Sequence, residues 1–404
     1  MAGAIISSAQ DHEAVYYNPA ALAFAERPTF AIGFQRADFF LELNGEESPG
    51  LGAPALFFGF GVPLPFGGFL EDRLTLGLGF VLPQTSILIA DVPAPGQPSF
   101  LLVENRAQTV SLQGGLGLRI ADSVSIGVGF LALAELIGDI SVAPNDEGRL
   151  GSRVRDQVIA DYSPVLGVLV HPTDWLSVAA TYHGESSAAF ELPITAELGS
   201  GFSIPIPRLD LVGTAQYDPR QASAEVSVTS GGLRIAAGAT WKQWSGYGNP
   251  IVYTAVPDTL PTELCPQKVA GAAEGQVGCV QPAPDFSDTV VPRLGAEWVL
   301  QAGAFEIIPR AGLAWEPSPV PDQDADQNYL DNDRLILAAG IGVRYDDISI
   351  RVAGQWQHLF ERTEVKNASL LADTDTNVGF PEITHGGEVF FWGIELGLEL
   401  EADR

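Results

Sequence analysis

Apolar and polar residues alternate with period two over most of the chain. From Asp333 to Asp346 the odd positions hold Leu335, Leu337, Ala339, Ile341, Val343 and Tyr345, while Arg334 and Arg344 fall on even ones. The same alternation sets Ile348, Ile350, Val352 and Trp356 against Ser349, Arg351 and Gln355. It also sets Phe390, Trp392, Ile394, Leu396, Leu398 and Leu400 against Glu395 and Glu399. A period of two is the side-chain period of a β-strand. It predicts fourteen strands, near residues 28–43, 54–66, 72–86, 106–119, 123–137, 158–171, 175–190, 219–229, 232–245, 291–302, 304–316, 333–346, 348–362 and 386–401.

A soluble β-sandwich also alternates, so the connections carry the distinction. Long ones (44–53, 87–105, 138–157, 191–218, 246–290, 317–332 and 363–385) take turns with short ones such as Ala121-Asp122, Pro172-Thr173-Asp174 and Gly303. An even number of antiparallel strands, with short turns at one end and long loops at the other, is the pattern of an outer-membrane barrel. Each strand is long enough to cross a bilayer at a tilt, which takes ~9–11 residues. Trp175, Tyr182, Trp241, Trp244, Trp315, Trp356 and Trp392 fall near strand ends, where interfacial aromatic girdles lie. The sequence therefore predicts an all-β fold, a 14-stranded antiparallel transmembrane β-barrel. With short turns in the periplasm, both termini are periplasmic and the long loops face outside.

Composition narrows the alternatives. The net charge is −29, with 21 Lys+Arg against 50 Asp+Glu, which excludes the basic footprint of a nucleic-acid binder. Charged residues are 18% and Gly numbers 44, while aromatics at 9% argue against disorder. The longest uncharged run is Ser48–Leu70, but Pro49, Pro54, Pro63 and Pro65 interrupt it, so a membrane helix is excluded there. The N-terminus has no secretory signal and reads as a mature or trimmed form. Cys265 and Cys279 share the longest outer loop and are expected to close it as a disulfide.

Three stretches carry a family resemblance. Ala9-Gln10-Asp11-His12-Glu13-Ala14-Val15-Tyr16-Tyr17-Asn18-Pro19-Ala20-Ala21-Leu22-Ala23 resembles the hatch segment of the FadL-type outer-membrane transporters of long-chain fatty acids and other hydrophobic compounds, with Asn18, Pro19 and Ala20 the recognisable triplet. Arg310-Ala311-Gly312-Leu313-Ala314-Trp315-Glu316-Pro317-Ser318-Pro319-Val320, followed by Asp331-Asn332-Asp333-Arg334, is similar to a second family run. Trp241-Lys242-Gln243-Trp244-Ser245 is similar to a third. The resemblance implies a hatch over residues 1–27, folded as a short plug in the lumen of a barrel over 28–404. Roughly the first half of a usual hatch has no counterpart before Ala9. It also implies capture of a hydrophobic ligand at outer loops, an apolar lumenal pocket, and lateral release beside the third strand, where Pro83 is the gate candidate.

Residue chemistry supplies further candidates. An apolar pocket captures an alkyl chain at about 0.8 kcal/mol per buried methylene. Inward apolar positions in otherwise polar registers are Leu131, Leu133, Val165, Leu169 and Ile308, and Phe202, Ile204 and Ile206 are candidates for an outer groove. A ligand carboxylate would be met by Arg293, Arg310, Arg344 or Arg351, through the bidentate guanidinium fork. The same arginines have an alternative in a ladder of ion pairs with Glu297, Glu306 and Glu395. Asp322, Asp324, Asp326, Asn328 and Asp333 stand at positions 1, 3, 5, 7 and 12 of an EF-hand-like loop, a weak Ca2+ candidate that lacks the turn glycine and the final glutamate. No other cofactor is indicated, and acidic outer loops suit divalent ions that bridge lipopolysaccharide. No G-x-S-x-G elbow, phosphate loop or dinucleotide fingerprint is present, so an enzyme is not expected. Hydrophobic small molecules and outer-membrane lipids are the expected partners of a monomer. A diffusion porin for small polar solutes, or a structural or adhesion barrel acting through its loops, are the alternatives.

Overall fold

The structure, a computed structural model, describes residues 1–9, 11–48, 52–84, 96–103, 110–144, 150–196, 209–248, 251–257, 267–270, 276–280 and 284–400. Its wall is a closed antiparallel cylinder of fourteen strands: β1 Thr29–Leu43, β2 Ala53–Pro63, β3 Leu74–Pro83, β4 Ser111–Ala121, β5 Val124–Pro144, β6 Leu150–Thr173, β7 Leu176–His183, β8 Gln221–Ser230, β9 Leu233–Lys242, β10 Thr289–Trp298, β11 Phe305–Glu316, β12 Arg334–Tyr345, β13 Ile348–Val365 and β14 Glu382–Glu399. Each strand pairs with the next, and β14 pairs with β1 from Thr29↔Glu399 to Leu43↔His385, which closes the ring. Closure pairs the first and last strands of the described ring, and without closure a sheet cannot satisfy its backbone in hydrocarbon. No helix of the described residues is long and apolar enough to cross a membrane, which says nothing against crossing by strands.

The apolar register faces outward. Leu337, Ile341 and Val343 on β12, Ile350 and Val352 on β13, and Trp392, Ile394 and Leu396 on β14 are exposed on the outer surface. In lipid, each such side chain is worth about 1.5–3 kcal/mol relative to water. Trp175, Tyr182, Trp241, Trp315 and Trp392 are exposed with them. Trp244 is not: it follows β9 in a short 3-10 turn, where period two is lost, and it is buried among loop residues.

Six further strand segments lie in the loops, and a seventh, Leu300–Ala302, pairs with the start of β11 across the short Gly303 turn. Residues 186–196 and 209–218 pair as an outer hairpin, which continues through 251–257 and 276–280 to 267–270. Segment 186–196 also runs parallel to β5, from Leu136↔Phe190 to Val142↔Ala196. The β5–β6 hairpin reaches further than the alternation predicts, pairing from Val124↔Val170 to Pro144↔Leu150. Asp139, Arg153, Arg155 and Asp156 make that stretch look like a loop, because beyond the lipid a strand no longer needs an apolar face.

Residues 1–24 touch the wall all round its circumference: Gly59 on β2, Gly77 on β3, Gly117 on β4, Gly127 on β5, Gly167 on β6, and on the far side Gly295 and Gly312. A segment that meets strands on every side lies inside the ring. It contains the short helix Glu13–Tyr17 and the 3-10 helix Pro19–Phe24. Its own core (Ile6, Ala9, Ala14, Val15, Ala20, Ala21 and Leu22) packs on Leu169 and Ala179 of the wall.

Candidate functional site

The site is the lumen, and three layers define it. The inner layer is the N-terminal segment. The Asn18 amide donates to the carbonyls of Ile6 at 3.0 Å and Val168 at 3.3 Å, and its Oδ1 accepts from the N–H of Ala20 at 3.1 Å. Ser125 Oγ donates to the Ala20 carbonyl at 2.8 Å. Ser7 donates to Glu225 Oε1 through its N–H at 2.8 Å and its hydroxyl at 2.6 Å. Arg351 reaches inward to Asp11 at 2.8 Å and Glu13 at 3.1 Å, and along its own wall to Glu395 at 3.2 Å.

The seat for this segment is made of glycines. A Cβ at Gly117, Gly127 or Gly167 would lie closer to Ala23, Ala20 or Asn18 than Cβ atoms come to any neighbour, so the wall accommodates backbone where a side chain would stand. Strand glycines usually weaken a sheet, and here each one faces a segment distant in sequence. Alternation cannot reveal them, because a missing side chain has no polarity. The visible signal is their spacing, as in Gly115-Leu116-Gly117 and Gly127-Val128-Gly129, with glycine on one register and lipid-facing apolar residues on the other.

Above this segment lies a chamber of ≈ 370 Å³. Leu131 and Leu133 line it with Ala37, Ala55 and Val81, among the neutral polar groups of Gln35, Gln113, Ser163 and Gln221. Tyr16 stands in its floor against His183, with ring centroids 5.3 Å apart. The charged members Arg36 and Asp218 have partners: Arg36 binds Asp38 at 2.6 Å, and Asp218 accepts from Gln216 at 3.1 Å. Val165 is buried on the same inward register as Ser163, and Leu169 is covered by the N-terminal segment. Ile308 is buried on β11 and lines neither this chamber nor the second cavity. That second cavity, ≈ 390 Å³, lies between the N-terminal segment and the β11–β14 wall, with Glu13, Tyr17, Arg310, Arg351 and Glu395 around it.

The four arginines named for a ligand carboxylate are engaged within the chain. Arg310 and Arg234 both bind Glu297, Arg344 binds Glu306 at 3.2 Å, and Arg351 holds the acids given above. Arg293 donates to the Thr240 hydroxyl and lies against Gly3.

The outer layer is a loop seal. Residues 96–103 cross the mouth, with Phe100, Leu101, Leu102 and Val103 all buried. Around it, Asn332 donates to the carbonyls of Phe360 at 2.8 Å and His385 at 3.0 Å, and the Lys366 ammonium donates to Ala325 O at 2.8 Å and Gln327 O at 2.7 Å. Burial pushes the Asp331 carboxyl up from its ordinary range while Arg334, 2.7 Å away, draws it back; burial also lowers the Lys366 ammonium.

The EF-hand-like spacing does not assemble. Asp322 binds Arg362, Asp326 accepts from the Ala372 N–H, the Asn328 amide donates to Gly96 O, and Asp333 accepts from the Ser318 N–H. Among the described residues no group of three or more His, Cys, Asp or Glu is placed to hold a metal ion. Without flanking helices to converge them, the loop oxygens are taken by nearby backbone and Arg362. Pro83 is the last residue of β3, paired with Ala55, and lies two residues beyond the last β3–β4 pair, Val81↔Ser111. Between Leu74 and Val81 the β3–β4 register runs unbroken. Phe202, Ile204, Ile206 and Cys265, one half of the expected pair with Cys279, lie outside the described residues.

Residues 1–380 match the model of a family described as outer membrane protein transport protein (OMPP1/FadL/TodX). Alkane uptake protein A of Marinobacter nauticus is 27% identical over 222 residues, which is 51% of this chain and 44% of that protein; the match thus spans less than half of that relative. Among solved structures, a Pseudomonas aeruginosa FadL homologue superposes with a TM-score of 0.60 at 16% identity, covering 98% of this chain and 95% of that one. The toluene transporter TodX of P. putida superposes with a TM-score of 0.58 at 12% identity, covering 97% and 94%. At these identities the structures share the fold.

Proposed function

Since the chain belongs to the outer membrane transport protein family (OMPP1/FadL/TodX), we propose that it is an outer-membrane channel for the uptake of hydrophobic molecules, with residues 1–27 as hatch and 28–404 as conduit. The observation that carries this reading is the chamber between the N-terminal segment and the loop seal. Its Leu131 and Leu133, with Ala37, Ala55 and Val81, offer apolar surface in a lumen otherwise walled by neutral polar groups and paired charges. Its volume falls in the range of ligand pockets, about 300–1,000 Å³. A polar-solute porin needs a continuous wet path, whereas this lumen is filled below by a segment bonded to the wall on several sides.

Passage is a matter of binding and release, with no covalent step. An alkyl chain entering the chamber gains about 0.8 kcal/mol per methylene removed from water. Release is sideways into the membrane near Pro83. Supporting that exit, Val81 and Ser111, the last pair of the β3–β4 ladder, are themselves chamber residues. Neutral ligands are favoured over carboxylates, because Arg310, Arg344 and Arg351 already bind the chain's own acids. The relative named for alkane uptake fits that preference. The test is uptake into proteoliposomes of radiolabelled hexadecane, palmitate and a disaccharide: hexadecane enters fastest and the disaccharide is excluded. Disaccharide entry without hydrocarbon entry overturns the reading.

A further inference from the structure

The loop seal is built from a run of four apolar residues, Phe100-Leu101-Leu102-Val103, in a segment whose neighbours in sequence are β3 and β4. Its contacts are elsewhere. The Ser99 N–H donates to Asn328 O at 3.1 Å, the Leu330 N–H donates to Ser99 O at 2.8 Å, and the Asn328 amide donates to Gly96 O at 2.9 Å. A tight turn, with the Val103 N–H donating to Phe100 O at 3.0 Å, sends the four side chains in different directions. Phe100 and Val103 join the inward apolar ends of the barrel strands, Phe39, Leu41, Leu359 and Val389. Leu101 and Leu102 join an aromatic cluster across the mouth, containing Tyr217, Trp244, Tyr247 and Phe286, in which Tyr247 and Phe286 stack at 5.0 Å.

The wall under the seal is the chamber wall. Ala37 and Ala53 belong both to the cluster that receives Phe100 and to the chamber lining. An apolar site at the outer end of the lumen, which shares Ala37 and Ala53 with the ligand chamber, is therefore filled by side chains from a loop instead of by the wall. Those side chains carry about eighteen carbons, the content of a long aliphatic chain, and apolar burial is non-directional, so one can replace the other.

We propose that residues 96–103 are an outer gate whose Phe100, Leu101, Leu102 and Val103 occupy the entry site for a long aliphatic hydrocarbon, which displaces them to reach the chamber. This rests on the channel reading above. The polar anchors through Ser99 and Gly96 return the strap when the chain has passed.

Two measurements on the full chain test it. In lipid nanodiscs, hexadecane accelerates hydrogen exchange at Ser99 and Val103 by tenfold or more, while a disaccharide leaves it unchanged; unchanged exchange under saturating hexadecane overturns the gate. Ser99 and Tyr329 form a parallel bridge, and bridged residues approach closely enough for a disulfide. In a Cys265→Ser/Cys279→Ser background, oxidised Ser99→Cys/Tyr329→Cys protein loses hexadecane uptake at least tenfold and regains it on reduction. Equal uptake by the oxidised and reduced forms overturns the gate and leaves the channel standing. Absent hexadecane uptake by the unmodified protein instead counts against the channel, and the exchange measurement then decides the gate. Should the paired cysteines prevent folding, Leu101→Ala/Leu102→Ala raises Ser99 exchange about tenfold without ligand, and undiminished protection overturns the proposal.

Discussion

Asn18→Ala removes the polar joint between the N-terminal segment and the wall. The buried side chain donates two hydrogen bonds and accepts one, with Ile6, Val168 and Ala20 as partners. A buried hydrogen bond is worth about 1 kcal/mol net, and a partner left unsatisfied costs more. The loss is about 3 kcal/mol, roughly two powers of ten in the ratio of released to seated segment. The barrel itself keeps its ladder, since none of these bonds joins strand to strand. The assay pairs planar-bilayer conductance with hydrogen exchange over residues 12–24. Asn18→Ala raises both the open-event frequency and the exchange rate by about a hundredfold. Gly167→Ala does the same from the opposite side, because its Cβ would clash with Asn18 Oδ1 and push that side chain off the wall. Wild-type conductance and protection in both variants would refute the idea that Asn18 fastens the plug.

The other predictions concern the seat, the ion pairs and the chamber. Gly127→Val, placed against the Pro19–Ala20 backbone, loosens the segment as strongly as Asn18→Ala, whereas Gly79→Ala, which meets only Gln113 at 3.4 Å, leaves conductance and exchange unchanged. Arg351→Gln strands Asp11, Glu13 and Glu395 near one another, so exchange over residues 11–17 rises severalfold, most strongly at low salt. Leu131→Gln/Leu133→Gln lowers hexadecane uptake about tenfold by removing the chamber's apolar wall, with barrel folding, read as heat-modifiable mobility on gels, unchanged.

How much of this was legible in the sequence depends on what each residue faces. Lipid imposes apolar side chains on every second residue of every strand, so Leu335–Tyr345 and Phe390–Leu400 betray their strands without any partner being known. Strand ends agree within a few residues for the same reason, except at β5–β6, where the ladder continues past the lipid and the alternation that marks it ends, and at β7, where the alternation runs on to 190 but the wall strand ends at His183 and residues 186–196 join the outer hairpin. The lumen imposes no such rule. Gly117, Gly127 and Gly167 look like dilution of the strands until the Asn18-Pro19-Ala20 segment is laid on them. Arg310, Arg344 and Arg351 are inward on parity alone, but parity cannot say whether a guanidinium meets a ligand or Glu297, Glu306 and Glu395; that depends on which strands become neighbours. Phe100–Val103 breaks the expectation of polar loops with four consecutive apolar residues, a signal that names no partner, since the clusters receiving them come from β1, β2, β13, β14 and three loops. The metal-like spacing of Asp322–Asp333 was misleading, because spacing without a rigid frame does not make ligands converge.

The most direct measurement of the central claim is hydrocarbon and ion flux through the same reconstituted protein. With the chamber closed below by the N-terminal segment and above by the strap, the protein gives little steady ion conductance and yet speeds hexadecane transfer into vesicles well above protein-free controls. A large, steady conductance with hexadecane transfer no faster than in empty vesicles would contradict it.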